Sequence, residues 1–245
     1  MVEPLFRREF ASQPIVGDAI ALDGAEAKHA ISVRRMRVGE AIQLTDGRGL
    51  RVRGAVAAVA DRSLTVAVAD VVHEPEPNAK LVLVQALAKG DRDELAIQAA
   101  TELGAWQILP WQAERSISRW DAAKVAKGVD RWQTIVSEAA KQSLRVYEPE
   151  VLQPVTSNQL VRAVADFDAV LVLDPTAAQG IGELAQHSGR VAIVVGPEGG
   201  ISPSELEQLE AAGAKRIRLG SEILRTSTAG VAAIAVLQAK LGAWG

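Results

Sequence analysis

Apolar residues follow two different rhythms along the chain. Up to about residue 72 they form short stretches at residues 19–22, 41–44, 52–59 and 64–72, separated by turn signals at Gly17-Asp18, Asp46-Gly47 and Asp61-Arg62-Ser63. Short strands at this close spacing predict a compact β-barrel. A helix-compatible segment, AEAKHAISVRRM over residues 25–36, interrupts them. Next comes His73-Glu74-Pro75-Glu76-Pro77-Asn78, with two prolines and no periodicity, which reads as a linker. Beyond it, apolar runs at residues 81–87, 106–111, 169–173, 191–195 and 217–219 alternate with helical patterns over 91–103, 121–146, 180–187, 203–212 and 228–242. That alternation predicts an α/β domain whose parallel sheet is covered on both faces. The expected organisation is a small β-barrel over residues 1–72, a linker over 73–80 and the α/β domain over 81–245.

The boundary signals are densest between residues 191 and 229. Two apolar runs there each end in a glycine-bearing turn, Gly196-Pro197-Glu198-Gly199-Gly200 and Leu219-Gly220-Ser221-Glu222. Between them Ser202 can cap a helix, Pro203 fits its first position, Glu205 completes a capping box and Ile201 can staple onto Leu206, with Gly213 ending it. Two such turns on one edge of a parallel sheet make a ligand crevice. The last helical stretch, AGVAAIAVLQAKL, is apolar almost all round, which predicts packing on the sheet or on another subunit.

Composition changes this picture little. Hydrophobic residues at 48% and charged residues at 23% are those of a globular protein with a sizeable core. No apolar run has the length of a membrane span, and the first residues, MVEPLFRREF, lack the apolar core of a secretory signal, so no membrane partner and a cytoplasmic location are expected. With no cysteine, thiol catalysis, disulfides and thiolate metal sites are excluded, and His29, His73 and His187 show no metal-ligand spacing. Charge matters more. The formal net charge is −3, yet residues 28–53 hold Lys28, Arg34, Arg35, Arg37, Arg48, Arg51 and Arg53 against Glu40 and Asp46, a local excess of five positive charges. Such a patch suits a polyanion or a solvated face equally well.

The turn at residues 196–200 meets neither nucleotide fingerprint: it lacks the GxxxxGK[ST] spacing and lysine, and it is not GxGxxG. Its glycines can still bring backbone amides against a ligand ahead of a capped helix. After the second turn, Arg225, Thr226, Ser227 and Thr228 offer a cation, hydroxyls and free N–H groups at a helix start. No G-x-S-x-G elbow or Ser/His/Asp triad occurs.

These residues resemble those of the SPOUT-class RNA methyltransferases, specifically the RsmE family, which methylates N3 of a uridine in 16S ribosomal RNA. The resemblance rests on residues 196–200, Leu219-Gly220, Ile223-Leu224-Arg225-Thr226 and Thr228-Ala229. It extends to Thr101-Glu102-Leu103-Gly104, Glu114-Arg115-Ser116, Arg131-Trp132, Glu138-Ala139-Ala140, Gln142 and Arg145, and more weakly to His29, Val33, Arg35 and Gly39. It implies a PUA-like RNA-binding barrel, a SPOUT domain with a trefoil knot over about residues 170–245, and a homodimer acting on the small ribosomal subunit without a metal. S-adenosylmethionine is expected against Leu173, Val195, Gly196, Pro197, Glu198, Gly199, Gly200, Leu219, Gly220, Ile223, Leu224, Arg225, Thr226 and Thr228. Arg225 and Glu198 are the catalytic candidates, Arg225 for charge on the uracil and Glu198 as proton acceptor or loop anchor. Lys28, Arg34, Arg35, Arg37, Arg115 and Arg145 are the RNA-binding candidates. Ser227 stands where many members have Glu and Ala99 where many have Lys, so a mechanism needing either charge is not carried over. The other readings are a SPOUT ribose 2′-O-methyltransferase on ribosomal or transfer RNA, and a non-catalytic RNA-binding assembly factor.

Overall fold

The computed structural model describes residues 2–244. They separate into two compact units, one holding the chain up to Glu76 together with Ala140–Glu148, the other Pro77–Ala139 and the chain from Pro149 onward.

In the first unit β1 (Leu5–Arg7), β2 (Ala19–Leu22), β3 (Ala41–Thr45), β4 (Leu50–Val59) and β5 (Leu64–His73) form one sheet in the order β1-β3-β4-β5-β2. Pairing is antiparallel except between β1 and β3. Alternate residues such as Ile42, Leu44, Val52, Val56, Leu64 and Val66 point into one core with Phe6 and Leu22, as period-two patterning requires. Two register shifts between β4 and β5, after Arg53 and after Val56, bend the sheet toward closure. The helix expected over residues 25–36 is instead α1 (Gly24–Lys28) running into a π-helical turn, His29–Val33. Arg34 N–H donates to the His29 carbonyl and Arg35 then takes a left-handed φ of 53°, so the coil widens and stops.

The segment Ala140–Glu148 joins this unit although no sequence pattern marks it. Gly49 N–H donates to the Val146 carbonyl (3.0 Å), Glu148 N–H to the Gly47 carbonyl (3.0 Å) and the Tyr147 hydroxyl to the Glu74 carbonyl (2.7 Å).

The second unit is built on β6 (Ala79–Ala86), β7 (Gln107–Gln112), β8 (Glu150–Val151), β9 (Val155–Thr156), β10 (Ala169–Leu173), β11 (Gly189–Val195) and β12 (Lys215–Ile217). Its order is β12-β10-β11-β6-β7-β8, with β9 also on β7, and every pairing is parallel. Both faces are covered: Leu81, Leu83, Val191, Ile193 and Val195 enter one core, Val82, Val84, Ala192 and Val194 the other. Burial on both sides is why these strands read as continuous apolar runs.

Helices α2 (Arg92–Glu102), α3 (Ala122–Gln142), α4 (Ser157–Ala163), α5 (Pro203–Ala211) and α6 (Thr226–Lys240) complete the set. α3 stops before residue 146 because Leu144 adopts a left-handed φ of 59°. The helix expected over 180–187 is only a 3-10 turn, Ile181–Glu183. Gly180 and Gly182 disfavour a longer one, and residues 179–181 instead bond edge-on to Arg218. α6 is not buried all round: Thr226, Gly230, Ala233, Ile234 and Leu237 form its buried stripe, while Val236 is exposed. Gly230 lets it approach the sheet, since a Cβ there would lie 2.7 Å from Leu83 Cδ1 and 3.0 Å from Val195 Cγ2.

Candidate functional site

At the carboxyl ends of β10, β11 and β12 the second unit encloses a cavity of about 580 Å³. Its inner wall is the turn after β11 and its outer wall the chain from Ile217 to Ala229, with Leu173 and Asp174 between them. This is where an open parallel sheet presents strand ends and helix N-termini to a ligand.

Each wall is built from the sequence signals that predicted it. Ser202 accepts from Glu205 N–H, Glu205 accepts from Ser202 N–H, Pro203 opens α5 and Gly213 follows it at φ 106°. The turn at 196–200 is closed by Gly200 N–H donating to the Pro197 carbonyl (2.9 Å), with Gly200 at φ 71°, a conformation that favours glycine. Thr226 pins the walls together. Its hydroxyl donates to the Gly196 carbonyl (2.8 Å) and accepts from Nε2 of the buried Gln85 (2.9 Å). Across the outer wall, among the described residues, the backbone N–H groups of residues 219–224 have no hydrogen-bonding partner. Unpaired amides beside apolar side chains can bind a ligand's heteroatoms without charged side chains.

The lining carboxylates differ in availability. Asp174 accepts from Thr176 N–H (2.8 Å), the Thr176 hydroxyl (2.9 Å) and Arg216 Nε (2.6 Å). Burial pushes its carboxyl up, but these donors outweigh it and hold it below the usual range. Glu198 accepts from Lys89 N–H (3.0 Å) and Arg92 Nη1 (2.9 Å). Burial opposes ionisation there too, and its own amide, Lys89 N–H and Arg92 prevail. A carboxylate so engaged is a poor proton acceptor and a good anchor, tying the turn after β11 to the loop after β6. Glu222 is exposed and, among the described residues, without a partner.

Arg225 lines the cavity, is exposed and caps α6 by backbone alone; among the described residues its guanidinium has no partner. Ile223 beside it is 82% exposed, an unusual position for an isoleucine away from any core.

Most of the expected cofactor set comes together here: Leu173, Val195, Gly196, Pro197, Glu198, Gly200, Leu219, Gly220, Ile223, Leu224, Arg225 and Thr226 all line the cavity. Gly199 and Thr228 do not; Gly199 faces Arg115 and Thr228 lies exposed in the first turn of α6. Arg92, Asp174, Ile201 and Ile217 also line it, although none belongs to the expected cofactor set: the sequence marks Ile201 only as a helix staple and Ile217 only as strand. Their membership depends on which strand ends lie together, for which the chain carries no local signal.

Of the basic candidates, Lys28, Arg34, Arg35, Arg37 and Arg115 are exposed. Arg145 is half-buried, and desolvation pushes its guanidinium down to about 10. The patch over residues 28–53 shrinks as well. Arg48 pairs with Glu9 (2.8 Å), Arg51 with Glu74 (2.6 Å) and Arg53 with Asp70 (3.3 Å), so the uncommitted charge is concentrated around the π turn. Among the described residues no group of three or more His, Asp or Glu is placed to hold a metal ion. Among the described residues no helix is long and apolar enough to cross a membrane.

Asp93, 5% exposed, supports the loop that engages Glu198 by accepting from Ala88 N–H (3.0 Å) and Glu94 N–H (2.9 Å). Burial raises its pKa from 3.8 to about 6 despite those bonds. The folded state therefore holds this proton more tightly than the unfolded chain. The resulting stabilisation is complete below about 4 and is lost as pH rises through about 6. In urea unfolding, the stability of wild type minus that of Asp93→Asn is expected to fall by about 2 kcal/mol between pH 4 and pH 7.5. A difference constant over that range would show that the carboxyl titrates normally.

A family model for the RNA methyltransferase domain matches residues 74–238, and one for the RNA methyltransferase PUA domain matches residues 22–69. The ribosomal RNA small subunit methyltransferase E of Mycobacterium bovis is 41% identical over 236 residues, covering 94% of this chain and 90% of that protein. The chain belongs to the ribosomal RNA small subunit methyltransferase E family. The member from Neisseria gonorrhoeae, solved bound to S-adenosyl methionine, is 30% identical with a TM-score of 0.87 over 97% of this chain and 98% of that one. A putative methyltransferase from Legionella pneumophila, solved with the cofactor SAM, is 31% identical with a TM-score of 0.86 over 98% of both chains. Within this family the first unit is the PUA-like domain, an open half-barrel, and the second is the SPOUT methyltransferase domain.

Proposed function

We propose that this chain transfers a methyl group from S-adenosylmethionine to N3 of a uridine in 16S ribosomal RNA. The observation that carries the reading is the cavity itself, in a chain of this family: apolar side chains and unpaired amides on one side, a free guanidinium on the other. The donor set fits the cofactor. Leu173, Val195, Ile217, Leu219 and Leu224 offer apolar surface for an adenine ring, and the unpaired amides of residues 219–224 suit its heteroatoms. When bound, S-adenosylmethionine supplies a methyl group activated on a sulfonium.

The remaining work falls to the chain. Uridine N3 loses a proton on methylation, and negative charge spreads onto the uracil carbonyls as it leaves. Arg225 stabilises that charge through a charge-assisted hydrogen bond. Glu198, already accepting from Lys89 and Arg92, serves as anchor, and the proton passes to water. Thr226 and Gln85 hold the two walls at a fixed spacing, which aligns nucleophile and methyl. Exposed Leu95 and Val236, on the packed helices α2 and α6, support a homodimer, and the ribosomal substrate supports a cytoplasmic location.

Methyl transfer from labelled cofactor to small ribosomal subunits, followed by nucleoside analysis, tests the reading. 3-Methyluridine at one 16S position is expected. A 2′-O-methylated nucleoside would reassign the chain to ribose methylation. RNA binding without cofactor binding would make it an assembly factor.

A further inference from the structure

Glu205 does more than cap α5. Its Oε2 accepts from Ser202 N–H (3.0 Å) within the capping box, while Oε1 reaches away from the helix to accept from Glu114 N–H (2.7 Å) and the Ser157 hydroxyl (2.5 Å). The residue is 4% exposed, unusual for the third position of a helix, which normally faces water. Burial opposes its charge, yet these donors hold the carboxyl below its ordinary value, so it stays ionised.

What Oε1 holds is the turn after β7. Ser116 N–H closes that turn on the Ala113 carbonyl (3.1 Å), leaving Glu114 and Arg115 at its corners. Arg115 then lies across the turn after β11: its Nη1 donates to the Gly199 carbonyl (3.1 Å), and a Cβ at Gly199 would come within 3.3 Å of Arg115 Cβ. Gly199 thus packs closely against Arg115 and does not line the cavity. One face of the turn at 196–200 walls the cavity and the other seats an exposed guanidinium. Among the described residues Arg115 has no carboxylate partner, so its remaining N–H groups face solvent.

We infer that Glu205 is a positioning residue for RNA. By docking the Glu114–Arg115 turn against the turn after β11, it sets the Arg115 guanidinium where a backbone phosphate of the RNA strand lies when a base of that strand enters the cavity. The inference rests on the methyl-transfer reading for the identity of the strand. A planar, bidentate donor held beside the reacting site suits a phosphodiester.

The test compares Glu205→Gln, Arg115→Ala, their double variant and Gly199→Ala with wild type. Three quantities are measured: methyl transfer to small ribosomal subunits, direct retention of in vitro transcribed 16S ribosomal RNA, and calorimetric binding of S-adenosylmethionine. In Glu205→Gln the amide oxygen can serve Ser202 or Glu114, but its NH₂ then opposes the other N–H. Each single variant is expected to raise KM for subunits and Kd for RNA about 5- to 10-fold, with kcat and cofactor affinity within about twofold. The double variant should be no worse than Arg115→Ala alone. Multiplying effects, or a lowered Tm with unchanged RNA affinity, would overturn the inference and leave Glu205 a structural cap. Should wild type transfer no methyl group, the methyl-transfer reading fails, while RNA retention by the same variants still decides the role of Glu205.

Discussion

Replacing Arg225 by alanine is expected to lower kcat for methyl transfer roughly 100- to 1,000-fold, the loss typical when a preorganised donor to developing charge is removed. Cofactor affinity should fall by less than about threefold, because the lining that suits S-adenosylmethionine consists of backbone amides and apolar side chains. The contrast comes from where the residue sits. Arg225 precedes α6 with no partner among the described residues, so nothing in the fold relies on its side chain. Thermal unfolding should accordingly be unchanged within error, and single-turnover kinetics with saturating cofactor would show the whole effect in the chemical step. Equal losses in cofactor affinity and turnover would move Arg225 from catalysis to cofactor binding.

The second large effect concerns the π turn of the first unit. Arg34, Arg35 and Arg37 are exposed where the helix widens and stops, and they retain the charge that Arg48, Arg51 and Arg53 have surrendered to neighbouring carboxylates. The combined variant Arg34→Gln, Arg35→Asn, Arg37→Gln removes three positive charges while keeping a residue tolerant of left-handed backbone at position 35. If each arginine neutralises one phosphate, the slope of log affinity against log salt should fall by about 2 to 3. Affinity for 16S ribosomal RNA at 0.1 M salt should fall roughly 100-fold by the same relation. Titrations at several salt concentrations measure both, and an unaltered slope would show that these arginines contact only water.

How far the chain could be read depended on how local the governing physics was. β2 and β10 fall at the predicted residues, and the helix from Pro203 carries the capping box, proline and terminal glycine seen in its sequence, because each depends on neighbours within a few positions. Features set through space were hidden. Nothing in the sequence near Arg51 announces Glu74, and nothing near Gly199 announces Arg115, so the basic patch looked larger and the glycine looked like cofactor wall. Asp174 and Arg92 escaped notice for the same reason: they reach the cavity from the residue just after strand β10 and from helix α2, each reading as ordinary support. The π turn was illegible because its residues are compatible with an α-helix and only the backbone after His29 departs from it.

The return of the segment Ala140–Glu148 to the first unit bears on how the protein is made. Val146 and Glu148 satisfy backbone groups at Gly49 and Gly47, and Tyr147 bonds the Glu74 carbonyl, so the N-terminal unit lacks part of its own hydrogen bonding until those residues exist. Domains usually fold in order as the chain leaves the ribosome. Here the first to be synthesised cannot be the first to be finished, and a fragment cut at Glu76 would leave the ends of β4 and β5 open to water.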